Sequence, residues 1–188
     1  MSEKIPTRQE ALELVLQYNE TASLINHAKA VEAAMRYIAR KAGGDEEAWG
    51  IVGLIHDLDY EKFPEQHCQK TESILRENNW PEEYIRAALS HGWGICTELE
   101  PQTLLEKTLY TVDELSGFVS ACALVRPSKS VADLEVKSVK KKWKQMSFAA
   151  GVDRDVVAKG MAMLDVEFDD ITADVINALR EVSDDIGL

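Results

Sequence analysis

The sequence predicts an all-α fold, a single-domain helical bundle, on three observations. Apolar residues recur at spacings of three and four along most of the chain. No segment sustains the alternation of β-branched residues that marks a strand. Capping residues and prolines fall at the ends of the periodic segments.

Thr7 with Glu10 forms a capping-box pattern that opens a first helix, with Leu12, Val15 and Leu16 as its expected buried face. Leu24, Ala28, Val31, Met35 and Ile38 then mark a longer helix, which Gly43 and Gly44 stop. Asp45 caps a third, whose apolar end delivers His56 and Asp57. A polar turn follows, and a helix is expected over residues 64–77. Pro81 suits the first position of another, ending near His91 and Gly92. A long helix is expected over residues 103–125, with Asp113 at its middle and Pro127 as its terminator. Ser130 and Asp133 read as a cap for a lysine-rich helix. Two further helices are expected between residues 153 and 183. The organisation expected is one domain, its core over about residues 20–125, with an extension over about 128–188 packing on the same core.

With 188 residues and 45% apolar content, the chain can bury a sizeable core. Its net charge of −12 disfavours nucleic acid and acidic membranes as partners, because like charges repel. A small phosphorylated substrate stays compatible, since a bound cation reverses the local field. Three widely spaced cysteines, Cys68, Cys96 and Cys122, read as reduced thiols of a cytoplasmic protein. Residues 1–7 hold no apolar signal core, and no apolar run is long enough to span a bilayer.

The chemistry gathers around four histidines, His27, His56, His67 and His91. His56-Asp57 emerges directly from the apolar stretch Ile51 to Ile55. An ionised aspartate beside buried surface needs compensation, which a divalent cation supplies. Asp113 poses the same problem on an otherwise apolar helical face. Imidazole and carboxylate together suit Mn, Fe, Co, Ni or Zn better than Mg, and ligands from separate helices can converge inside a bundle.

The order His, His-Asp, Asp resembles the pattern that names the HD superfamily. The matching segments are His27-Ala-Lys-Ala-Val-Glu, Leu54-Ile-His-Asp-Leu and Thr111-Val-Asp-Glu-Leu, and the resemblance covers about residues 20–125. It implies a helical bundle, a centre of one or two metal ions, and hydrolysis of phosphoester bonds, often in nucleotides. Carried over by position, His27, His56, Asp57 and Asp113 would bind the first ion. Asp57 would bridge to a second if His67 and His91 hold one. His56 and Asp57 would then also serve catalysis, the metal activating a water toward phosphorus. The Gly-Tyr-Pro element of the cyclic dinucleotide enzymes is absent, as is the Glu-Asp pair of the alarmone hydrolases. The position where small deoxynucleotide 5′-phosphatases carry a glutamate is Tyr60. The closest likeness is to small uncharacterised HD proteins.

Other residues have a sharp reading beside a bland one. Asp59 and Glu61 are candidates for the general acid, or simply caps of a turn. Lys141 and Lys144, within the basic run 137–144, are candidates to meet a substrate phosphate, although such runs usually face water. Arg126 has no better support. Trp80, Trp93 and Trp143 are candidates to stack on a base, Trp93 above all because it follows His91 closely, although aromatics at helix ends more often pack. The leading expectation is a metal-dependent phosphohydrolase of a small phosphorylated metabolite, possibly a nucleotide. The alternatives are a mixed-valent di-iron oxygenase using the same six residues, and a non-catalytic module that kept the fold. The oligomeric state is not legible.

Overall fold

The computed structural model describes residues 5–188; residues 1–4, part of the stretch read for a signal core, lie outside them. Among the described residues the chain is all helical, with one isolated bridge between Trp93 and Thr97. The helices are α1 (Arg8–Tyr18), α2 (Ala22–Ala42), α3 (Glu46–Ile55), α4 (Gln69–Glu77), α5 (Glu82–Ser90), α6 (Leu104–Leu124), α7 (Val136–Trp143), α8 (Arg154–Leu164), α9 (Phe168–Glu181) and α10 (Ser183–Ile186). A 3₁₀ turn, Pro64–Gln66, precedes α4. No helix among them is long and apolar enough to cross a membrane.

The two longest helices, α2 and α6, pack on each other and carry the rest. α3 and α9 lie against α2, while α5 and α8 lie against α6. The α2–α3 approach is close because position 53 is glycine. A Cβ there would sit 2.9 Å from Met35 Cγ and 3.1 Å from the Glu32 backbone. Buried apolar residues form one cluster running from Ala11 to Ile186. Each wholly buried Leu, Ile or Phe in it, Phe118 among them, contributes about 1.5–3 kcal/mol.

Local chemistry explains most boundaries. Thr7 and Thr103 form complete capping boxes with Glu10 and Glu106. Asp45 and Asp153 accept hydrogen bonds from the first-turn N–H groups of α3 and α8. Other expectations need correction. The buried face of α1 is Ala11, Leu14 and Val15, and Leu16 is 48% exposed. The helix expected over residues 64–77 is broken at His67 and Cys68, where Cys68 takes a left-handed φ of 69°. Pro81 is the N-cap of α5 rather than its first residue. Glu135, not Asp133, precedes α7, because Asp133 is engaged by Arg126 and Ser128. Cys68 and Cys96 are not separate thiols but a disulfide, with Cα atoms 6.3 Å apart. The loop after α5 folds back onto the start of α4, so distance along the chain was no guide. Cys122 is free and buried.

Candidate metal centre

Four helices and one turn bring six side chains together. His27 comes from α2 and Asp113 from the middle of α6. His56 ends α3, Asp57 follows it, and His91 ends α5. His67 arrives because the backbone breaks between the 3₁₀ turn and α4. The all-buried segment Ile51 to Ile55 anchors the His56-Asp57 pair in the core.

The six form two half-sites joined through Asp57. Asp57 Oδ2 lies 3.8 Å from His27 Nε2 and 3.5 Å from His56 Nε2. Asp113 Oδ1 faces the same two nitrogens at 3.0 and 3.3 Å. Asp57 Oδ1 lies 3.5 Å from His67 Nε2 and 3.3 Å from His91 Nε2. Each carboxylate oxygen of Asp57 thus addresses its own pair of imidazoles.

Hydrogen bonds at the far side of three rings set their tautomers. His56 Nδ1 donates to Gly53 O at 2.7 Å, and His91 Nδ1 donates to Ala88 O at 2.5 Å. Asp59, wholly buried, accepts from His67 Nδ1 at 2.7 Å and from the Thr71 N–H at 2.8 Å. All three rings therefore turn Nε2 lone pairs inward. His56 Nε2 is buried and makes no hydrogen bond. An orphaned imidazole nitrogen facing two carboxylates fits a divalent cation, whose histidine ligands are oriented by outer partners of this kind. His27, His56 and Asp57 could hold one ion; His67 and His91, with Cys68 nearby, another.

Without a cation, protons must serve. Burial disfavours a charged His56, but the Asp57 and Asp113 carboxylates outweigh it and push the imidazole up to about 9. Burial likewise opposes charge on Asp57 and Asp113, yet the surrounding imidazoles hold both below the ordinary carboxylate range. Glu114 goes the other way: burial, then the charge of Asp113, raise it to about 7.

A cavity of about 370 Å³ opens over the centre, its remaining walls including Tyr60, Ile95, Cys96, Glu114, Val152 and Val156. No Lys or Arg is among the described residues lining it. A second depression of about 310 Å³ meets it at His27 and Gly117.

The HD domain family model matches residues 24–117, a span holding all six side chains. The chain belongs to the HD domain family. HD domains bind divalent metals and are mostly metal-dependent hydrolases of the phosphohydrolase type, and the His/Asp cluster here is compatible with that chemistry. No solved structure matches the chain.

Other expected site residues of this HD protein lie elsewhere. Glu61 does not line the cavity. Its carboxylate accepts from the N–H groups of Glu20 and Thr21 at 2.7 and 3.1 Å and from the Thr21 hydroxyl at 2.7 Å, bracing the start of α2. Lys141 and Lys144 are exposed on and just after α7, outside the cavity. Lys140 pairs with Asp169, and Lys142 sits over the Phe148 ring. Trp93 also lies outside the cavity, its ring 5.8 Å from that of Tyr110. Sequence reasoning missed Glu114, although its place next to Asp113 was a usable signal. It also left Asp59 undecided between acid and cap; the residue holds His67.

Proposed function

We propose that this HD protein is a metal-dependent phosphohydrolase acting on a small phosphorylated metabolite, with a nucleotide as the leading substrate class. The observation that carries this reading is the set of inward Nε2 lone pairs around Asp57 and Asp113. His27, His56, Asp57 and Asp113 would hold the first ion, and His67, His91 and Asp57 the second. Such ions, drawn from Mn, Fe, Co, Ni or Zn, lower the pKa of a bound water and polarise phosphoryl oxygens.

The chain's own residues do the rest. Asp57 and Asp113 bring the negative charge that holds cations in a cavity with no Lys or Arg among its described lining residues. Phosphoryl transfer needs mainly positioning and charge neutralisation, so the lysine run is not required to reach the substrate. Tyr60 and the apolar wall of Ile95, Val152 and Val156 shape the opening, and the depression beyond His27 gives room for a substrate body larger than phosphate. Glu114, rather than Glu61, would protonate a leaving oxygen, a role supported by its position in the cavity wall and its raised carboxyl pKa. The acidic chain supports a small-molecule partner over nucleic acid or membrane, and a cytoplasmic setting is part of this reading.

The test is hydrolysis of a panel of phosphomonoesters by protein loaded with Mn²⁺, Co²⁺ or Ni²⁺. Activity should vanish on chelation and in Asp113→Ala. No turnover of any ester with any metal would reject the proposal.

A second reading is a mixed-valent di-iron oxygenase. It is favoured by the presence of all six side chains in two half-sites sharing Asp57, and by the lack of a Lys or Arg among the described residues that line the cavity. Two irons per chain and an oxygen-dependent spectroscopic signal in anaerobically purified protein would select it.

A further inference from the structure

We propose that Cys68 and Cys96 form a thiol–disulfide gate on the half-site of His67 and His91. The inference rests on the metal-binding reading above and adds a ligand and a control that reading does not contain.

Four observations place the pair there. Cys68 directly follows His67, and its sulfur lies with the ligand nitrogens of His67 and His91 in a group spanning no more than 4.8 Å. Cys96 lines the cavity over the centre and is partly exposed, whereas Cys68 is 1% exposed. Gly92, next to His91, leaves room for both sulfurs: a Cβ there would strike Sγ of each. The left-handed φ of 69° at Cys68, rare for a residue with a side chain, turns this sulfur inward at the start of α4.

With the disulfide closed, each sulfur is bonded to the other and neither can ligate. A thiol entering through the cavity reaches Cys96 first. Its thiolate attacks Cys96 Sγ, the Cys68–Cys96 bond breaks, and Cys68 departs as a thiolate at the N-terminus of α4, where an anion is favoured. A second thiol then releases Cys96. The protein disulfide gains two electrons and two protons, and two small thiols leave as one disulfide. Cys68 is then free to join His67, His91 and Asp57 around a divalent ion, a donor set that suits zinc, iron(II) or cobalt(II). The reduced protein holds the second ion firmly, and the oxidised protein holds it weakly. A transient disulfide of this kind is compatible with a reducing compartment.

The probe is Co²⁺ alone, titrated under nitrogen into full-length protein that has been reduced and desalted, or oxidised with diamide. Reduced protein should bind two Co²⁺ per chain and show thiolate-to-cobalt charge-transfer absorption in the near ultraviolet. Oxidised protein should lack that band and bind its second Co²⁺ about 10- to 100-fold more weakly. Cys96→Ser, which leaves Cys68 unpaired, should give the band and the tight second site in both states. Cys68→Ser should give neither. Equal second-site affinity in the two redox states, or no band from reduced protein, overturns the gate. One tight Co²⁺ in every form removes the gate and leaves the metal reading standing. No Co²⁺ in any form removes both.

Discussion

His67 and His91 face each other with 3.1 Å between their Nε2 atoms, while Asp59 and the Ala88 carbonyl take up the opposite nitrogens. Two lone pairs at that separation repel unless a proton or cation lies between them. Asp59 is therefore the residue through which this half-site is tested. Asp59→Asn should weaken the second ion by about 10- to 100-fold and leave the first unchanged, as loss of an outer partner to a histidine ligand does. Stepwise metal titration checks it, and equal weakening of both ions would refute it.

Asp57 addresses both half-sites with separate oxygens. Asp57→Ala should empty both at once while α3 and its neighbours stay folded. Metal analysis together with far-ultraviolet circular dichroism reads the two effects. Full metal retention in that variant would count against the whole centre.

His56, held at about 9 against an ordinary 6.5, binds its proton more tightly folded than unfolded. Its contribution to the metal-free protein is complete below pH 6.5 and is lost as pH rises through about 9. In chelator, the unfolding temperature should fall across that window. Saturating metal should flatten or reverse the trend, because the ion replaces the proton. A flat profile in chelator would mean that His56 is not charged.

Glu114 is held near 7 with the proton it would donate. Turnover should decline as rising pH strips this proton, at a pH below that of the metal-free group, because a bound cation offsets the Asp113 charge that helps hold the proton there. Glu114→Gln should lower kcat by about 100-fold or more, the usual scale of general acid catalysis, with KM little changed. A phenolate leaving group, which needs no acid, should lose much less. Equal losses on good and poor leaving groups would deny it the acid role.

Lys141 and Glu61 should both spare the chemistry, for different reasons. Lys141→Ala should leave KM unchanged, since its side chain meets solvent. Glu61→Gln should lower the unfolding temperature by loosening the start of α2, with kcat unchanged in the folded protein. A raised KM for Lys141→Ala would return the lysine run to the site.

Much of this was legible in the chain because the signals are local. Thr7, Asp45 and Pro127 mark helix ends through chemistry within a turn, and the order of His27, His56, Asp57 and Asp113 follows the helices that carry them. What escaped depends on distant contacts. Glu61 meets Thr21 across 40 residues, and Cys68 meets Cys96 across 28. The break at Cys68 needs a backbone conformation that no residue type there announces. Leu16 shows a similar limit: periodicity alone does not select which stripe of α1 turns inward.

Asp59 has a kinetic consequence. One carboxylate both starts α4 and steadies His67, so fraying of that first turn releases the imidazole with it. His56 and Asp113 are held from within the bundle, away from any fraying helix start. Two ions side by side would then exchange with solution on separate clocks, the one beside α4 running faster.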